Sequence, residues 1–171
     1  MQRSLVGSEM CIRDRYSTTV KPDKYDSTVL YGLEAGKYRL ALKTPKDQII
    51  NVEYTRDKSK KKAAYKKSKA IHLKSDIDSI YTSTEKAARW YKVSVSSTKK
   101  RKAVTLSKDS VGGGFKFCVY QKGKRLKTVK VTKNDKVKTV KLPKKKGAYY
   151  VKVTKLTSKT TGAYYLGTYT Y

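Results

Sequence analysis

Over the C-terminal two-thirds of this chain, apolar side chains fall on every second position, and turn-forming residues break the alternation about every ten positions. The segment RWYKVSV, residues 89–95, places Tyr91, Val93 and Val95 on one side and Trp90, Lys92 and Ser94 on the other. Phe115, Phe117 and Val119 follow a run of three glycines. Val129 and Val131 follow a turn at Gln121-Lys122-Gly123-Lys124, and Val140 and Leu142 follow Asn134-Asp135. Gly147 introduces Tyr149, Val151 and Val153, and Gly162 introduces Tyr164 and Leu166. A period of two puts alternate residues on opposite faces of a strand. Short strands with lysine or threonine at the outward positions need a second sheet to cover their apolar face. The expected fold is therefore an all-β, antiparallel β-sandwich with wet outer surfaces.

The alternation also repeats at long range. Thr28-Val29, Gly36, Tyr38, Leu40 and Leu42 match Thr139-Val140, Gly147, Tyr149, Val151 and Val153 at a constant offset of 111 positions. A repeat of domain length is the mark of tandem β-domains. Residues 16–58 are expected to be the C-terminal strands of a truncated preceding copy, with strands near 28–31, 37–43 and 49–55. The lysine-rich stretch at 59–63 is expected to be a linker, and 64–171 the complete sandwich. Residues 3–15, RSLVGSEMCIRDR, resemble the conceptual translation of a transposon-end sequencing adaptor. Residues 1–15 are accordingly expected to be a non-native leader, and no signal-peptide pattern is visible there.

The formal charge of +29 points to a polyanionic neighbour or a heavily solvated surface. Lysine supplies almost all of it; beyond the leader the arginines are Arg39, Arg56, Arg89, Arg101 and Arg125. Arginine reads phosphates and guanine edges bidentately, whereas lysine is a hydrated point charge, so sequence-specific recognition of nucleic acid is not expected. No stretch reaches the roughly 20 apolar residues that span a bilayer. Cys118 is the one cysteine beyond the leader, on a strand pattern, and reads as a structural thiol.

Taken together, Trp90-Tyr91-Lys92-Val93-Ser94-Val95, the run from Leu142-Pro143 through Gly147-Ala148-Tyr149-Tyr150-Val151-Lys152-Val153, and Gly162-Ala163-Tyr164-Tyr165-Leu166 resemble a bacterial pre-peptidase C-terminal (PPC) domain. The Lys/Thr-rich dialect is similar to that of Gram-positive surface proteins. The resemblance implies a jelly-roll-like sandwich, secretion or a cell-surface location, and a role in adhesion, targeting or maturation beside a hydrolase. Some relatives bind calcium. Here Asp76 and Asp78 stand without an acidic cluster, and Arg89 replaces the usual aspartate before the Trp-Tyr pair, so no metal or cofactor is expected.

His72, the only histidine, falls at an outward position between Ile71 and Leu73 and reads as a surface residue. Gly112-Gly113-Gly114 precedes a strand and lacks a following Lys-Ser/Thr, so it reads as a flexible turn and not a phosphate loop. No catalytic residue is assigned, and the chain is not expected to be an enzyme. Tyr150, Tyr165, Tyr169 and Tyr171 share the outward parity of two strands expected to be neighbours. They are a candidate ligand-stacking surface for sugar or peptide, or else cross-strand packing.

The function expected is thus a non-catalytic, secreted or wall-associated module, the C-terminal part of a larger protein. An anionic cell-wall polymer, a polysaccharide or an extracellular protein would be its partner. The alternatives are a basic nucleic-acid-binding protein and the accessory domain of a hydrolase encoded upstream. Limited proteolysis is expected to cut within residues 56–69 and leave a resistant fragment ending at Tyr171. Equal protection of the N-terminal piece would require that it dock on the sandwich.

Overall fold

The alternation closes into two packed layers in the computed structural model, which describes residues 31–34, 36–39, 41, 63–74, 76–82, 84–111 and 113–171, with Ser110 and Val111 described by backbone alone. Among the described residues there are nine strands, β1 (Ile71–His72), β2 (Ile77–Tyr81), β3 (Arg89–Val95), β4 (Lys102–Val111), β5 (Phe115–Gln121), β6 (Lys124–Val131), β7 (Val137–Lys141), β8 (Gly147–Lys155) and β9 (Thr161–Thr170). One sheet has the order β1-β3-β8-β5-β6 and the other β2-β9-β4-β7. Among the described strands only β1 runs parallel to its neighbour, β3, and the other pairs are antiparallel. Successive strands mostly change sheet, which gives the jelly-roll-like weave. Among the described residues β6 and β7 each lie at an edge.

Inward positions build the core. Tyr81, Tyr91, Phe115, Phe117, Tyr149 and Tyr164 are its largest fully buried side chains. The rings of Phe115 and Tyr164 lie 5.0 Å apart, and Tyr91 meets Tyr164 edge-on at 6.4 Å. Tyrosine brings a hydroxyl that must find a partner when buried. Tyr81 Oη donates to the Ala87 carbonyl at 2.8 Å, and Tyr149 Oη to the Lys145 carbonyl at 2.9 Å. Tyr91 Oη joins Ser79 Oγ at 3.0 Å and also the Tyr164 hydroxyl.

Burial, then the neighbouring Tyr91 phenol, pushes Tyr164 well above the usual tyrosine range; burial also raises Tyr81. The unfolded chain therefore loses these protons first. Their contribution to stability is complete below the unfolded tyrosine value of about 10 and is lost as pH rises beyond it. Alkaline unfolding should set in above about pH 10, and Tyr164→Phe should shift the onset upward in a circular-dichroism titration. An unchanged onset would mean that Tyr164 does not govern it.

β2 has no counterpart in the strands expected from the sequence. Its inward residues are Ile77, Ser79 and Tyr81, so a polar side chain interrupts the apolar beat. Ser79 is tolerated there because the Tyr91 hydroxyl pairs with it. The glycine run also departs from expectation. Far from being a loose turn, Gly114 is buried, and Thr160 Oγ1 bonds both its N–H (3.2 Å) and its carbonyl (3.1 Å). A Cβ at Gly114 would collide with the Val131 carbonyl oxygen. Gly114→Ala is expected to cost about 1–3 kcal/mol as overpacking, read as a fall in melting temperature; an unchanged value would show that the turn has room.

Most of the N-terminal piece, the leader and most of the linker lie outside the described residues. Lys37, Tyr38, Arg39 and Ala41 are described and are not in a strand, although one was expected at 37–43. Two observations bear on the repeat. Tyr38 Oη donates to the Glu34 carbonyl at 2.8 Å, four residues back, as Tyr149 does to Lys145 at the matching offset. Gly147 has φ +130° within that turn, and Gly36 shows no such value. A second finding is that the segment touches the sandwich. Gly32 N donates to Thr161 Oγ1 at 3.0 Å, Thr161 Oγ1 donates to the Gly32 carbonyl at 2.6 Å, and Thr84 Oγ1 bonds Glu34. Residues 32–34 are thereby docked, against the expectation of a detached piece. The end of the expected cleavage zone is also tied in: Trp90 N donates to the Ala64 carbonyl at 2.8 Å, and Lys67–Lys69 form a 3₁₀ turn.

Candidate functional site

Two outer sheet faces carry aromatic residues, and the structure divides the four expected tyrosines between them. Tyr150 lies on β8, which pairs with β3 and β5; Tyr165, Tyr169 and Tyr171 lie on or just beyond β9, which pairs with β2 and β4. The expectation of a single stripe on neighbouring strands is therefore wrong. The chain crosses to the other layer between β8 and β9, so equal parity puts Tyr150 on the opposite outer surface of the sandwich.

On the five-stranded sheet, Tyr150 stands between Lys92 and Tyr120 in register, and Lys152 between Trp90 and Cys118. The Trp90 and Tyr120 rings are 5.6 Å apart. Lysines cap two of the rings: Lys152 Nζ lies 5.5 Å from the Trp90 centroid and Lys67 Nζ 4.8 Å from that of Tyr150. This is a cation-covered aromatic surface, half-buried beneath its lysines. Cys118 is buried, with its Sγ 3.4 Å from Thr128 Oγ1.

The four-stranded sheet presents a barer face. Tyr165, Tyr169 and Tyr171 are 41%, 47% and 45% exposed. In register, Asp78, Tyr165, Ser107 and Val137 form one row across the sheet, and Gly167, Thr105 and Thr139 the next. Between Tyr165 and Tyr169 the sheet carries a shallow hollow of about 370 Å³ over Gly167, floored by the hydroxyls of Thr105, Ser107 and Thr139. Thr105 Oγ1 and Thr139 Oγ1 are 3.0 Å apart. Asp76, in the loop entering β2, lines the hollow, and its carboxylate lies where a side chain at Gly167 would stand. On the far side Tyr169 is braced by Tyr171, ring to ring at 5.8 Å, and Lys141 Nζ lies 5.1 Å from the Tyr171 centroid.

Sequence reading found both tyrosine walls and missed the floor. Thr105, Ser107 and Thr139 look like ordinary outward strand residues until the register aligns them beside a glycine. Gly167 was the available signal, because glycine inside a strand often marks close approach by another group.

His72 is exposed, and its Nε2 lies 3.1 Å from Ser94 Oγ. A base and a hydroxyl at that distance resemble half of a nucleophilic pair. Among the described residues no carboxylate hydrogen-bonds the imidazole to orient it, and Lys92 is its register partner. Asp76 lines the hollow and Asp78 stands in register with Tyr165; among the described residues no group of three or more His, Cys, Asp or Glu is placed to hold a metal. No helix among the described residues is long and apolar enough to cross a membrane.

No protein-family model and no curated protein matches the chain. Among solved structures, the crystal structure of the pre-peptidase C-terminal domain of a collagenase from Bacillus anthracis is similar, with 19% identity, a TM-score of 0.43, and coverage of 58% of this chain and 92% of that one.

Proposed function

We propose that the chain is a non-catalytic β-sandwich binding module of a secreted or wall-associated protein, serving adhesion or targeting as an accessory part of a larger polypeptide. The observation that carries this reading is the exposed tyrosine face of the four-stranded sheet. Three exposed phenol rings on a rigid sheet offer apolar contact area at little conformational cost. The sequence resemblance to PPC domains and the Tyr38–Glu34 clasp, repeated at Tyr149–Lys145, support a tandem-domain setting. The test is co-sedimentation of the whole chain with purified Gram-positive cell walls. Retention is expected, and the variant with Tyr165, Tyr169 and Tyr171 all replaced by serine should lose most of it. Equal retention by that variant would refute the tyrosine face as the binding surface. No hydrolysis of peptides, esters or glycosides is expected; turnover abolished by His72→Ala would overturn the non-catalytic reading.

A second reading draws on the opposite face. Lysines over Trp90 and Tyr150 are the ingredients with which proteins hold single-stranded nucleic acid without reading its sequence. Binding there would weaken steeply with salt and ignore sequence. Tight preference for one DNA sequence at physiological salt would contradict both readings.

A further inference from the structure

From the hollow over Gly167 we infer a binding site for one pyranose unit of a neutral polysaccharide. The inference rests on the reading of the tyrosine face as a binding surface and adds to it the class of ligand.

Glycine weakens a strand, since it has no side chain to pack and loses more freedom on folding. Gly167 nonetheless sits inside β9, flanked two residues away on each side by Tyr165 and Tyr169. What the missing side chain admits is the Asp76 carboxylate: a Cβ at Gly167 would overlap Oδ1 and stand 2.8 Å from Cγ. The glycine thus keeps an anionic acceptor at the surface of the sheet. Along β9 the two tyrosines are separated by about 13 Å of strand, which leaves a gap bounded by phenol rings.

The lining selects the ligand. Thr105 and Thr139 spend one hydroxyl hydrogen on each other, which leaves the other threonine and Ser107 one hydrogen each to donate, while all three oxygens can still accept and the Asp76 carboxylate only accepts. A partner rich in hydroxyls satisfies all four. The phenol walls require a ligand that also has apolar C–H faces, as a pyranose ring does. Charge excludes the obvious competitor. Among the described residues no lysine or arginine lines this hollow, and its one charged lining group is a carboxylate. A phosphate or uronate seated here would face Asp76 with no cation in that lining to offset it, since Lys141, in the row of Tyr169, is turned to the Tyr171 ring. Polyanions belong on the lysine-bearing surfaces, and this hollow suits an uncharged sugar. Its volume of about 370 Å³ is at the small end of ligand sites, the scale of a single ring and not of an extended chain.

The test is a ¹⁵N–¹H NMR titration of the whole chain with the N-acetylglucosamine trisaccharide, cellotriose and mannotriose. At least one is expected to bind at millimolar affinity or better, with shifts centred on Thr105, Thr139, Tyr165, Gly167 and Tyr169. Tyr165→Ala and, separately, Thr139→Val should each weaken it by about fivefold or more, in the range of a lost stacking or hydrogen-bonding contact. Both positions are exposed, so the two variants should keep the wild-type spectrum elsewhere; if one does not fold, the other decides. Tyr120→Ala, on the opposite face, should leave sugar affinity unchanged. Absence of shifts at these residues with all three sugars at solubility would overturn the inference, as would shifts centred on Trp90, Tyr120 and Tyr150. If cell-wall retention persists under either result and still needs the tyrosines, the binding-module reading stands while the sugar site falls. A hollow that answers to a soluble anionic polymer and not to the sugars would likewise refute the charge argument.

Discussion

Arg89→Ala is expected to destabilise the sandwich by about 3–5 kcal/mol, the cost of leaving one partner of a buried ion pair alone. Arg89 is only 7% exposed although it begins a strand. Its Nε and Nη2 grip both oxygens of Glu85 at 2.8 and 2.5 Å, and Nη2 also donates to the Ile80 carbonyl at 2.5 Å. The guanidinium plane lies 4.2 Å from the Tyr81 ring centroid. Burial alone would lower its proton affinity, but the Glu85 carboxylate outweighs that and holds the guanidinium above its ordinary range. Alanine would strand Glu85, free the end of β2 and uncover the Tyr81 ring. Lysine cannot reproduce the two-pronged contact, so Arg89→Lys should recover only part of the loss. The measurement is urea unfolding of the single variants and of the Arg89→Ala, Glu85→Ala double variant. A loss below about 1 kcal/mol for Arg89→Ala would class it with ordinary surface changes and refute this account.

Tyr164→Ala should be comparably severe, again about 3–5 kcal/mol, the usual range for deleting a buried aromatic ring. Tyr164 is wholly buried at the centre of β9, and its ring meets Phe115, Tyr81 and Tyr91. Removing it opens a cavity between the two sheets and takes the last phenol from the Ser79–Tyr91–Tyr164 chain. Tyr164→Phe keeps the ring and deletes only the hydroxyl. Its cost should be about 1 kcal/mol, because Tyr91 still has Ser79 to bond. The contrast is the test. Equal losses for the two variants would mean that the hydrogen-bond chain, and not packing, secures the core.

Several elements were legible in the sequence because one physical signal dominated each of them. β3 alternates cleanly, β5 does so except at buried Cys118, and Lys122-Gly123 turns back as expected, with positive φ at both residues. β2 was hidden because Ser79 occupies a core position that makes sense only once Tyr91 stands opposite. Arg89 read as a departure from a family pattern, while its role as a buried anchor depends on Glu85 four residues earlier and on Tyr81 from another strand. The stacking surface was half legible. Parity is local and reveals which side chains leave the core, but sheet membership is a long-range property. It therefore separated Tyr150 from Tyr165 and brought Thr139 to Thr105.

The edge strands β6 and β7 give the lysines a use that needs no ligand. An unpaired strand edge is a template on which another chain can add, and native proteins blunt such edges with lysine. β6 carries Lys124, Arg125, Lys127 and Lys130 around an exposed Leu126, and β7 carries Lys138 and Lys141 around an exposed Val137. Apolar residues at these positions would invite strand-to-strand aggregation; the flanking charges make the approach of a like edge repulsive. Part of the +29 charge thus acts as colloidal protection for a β-rich chain.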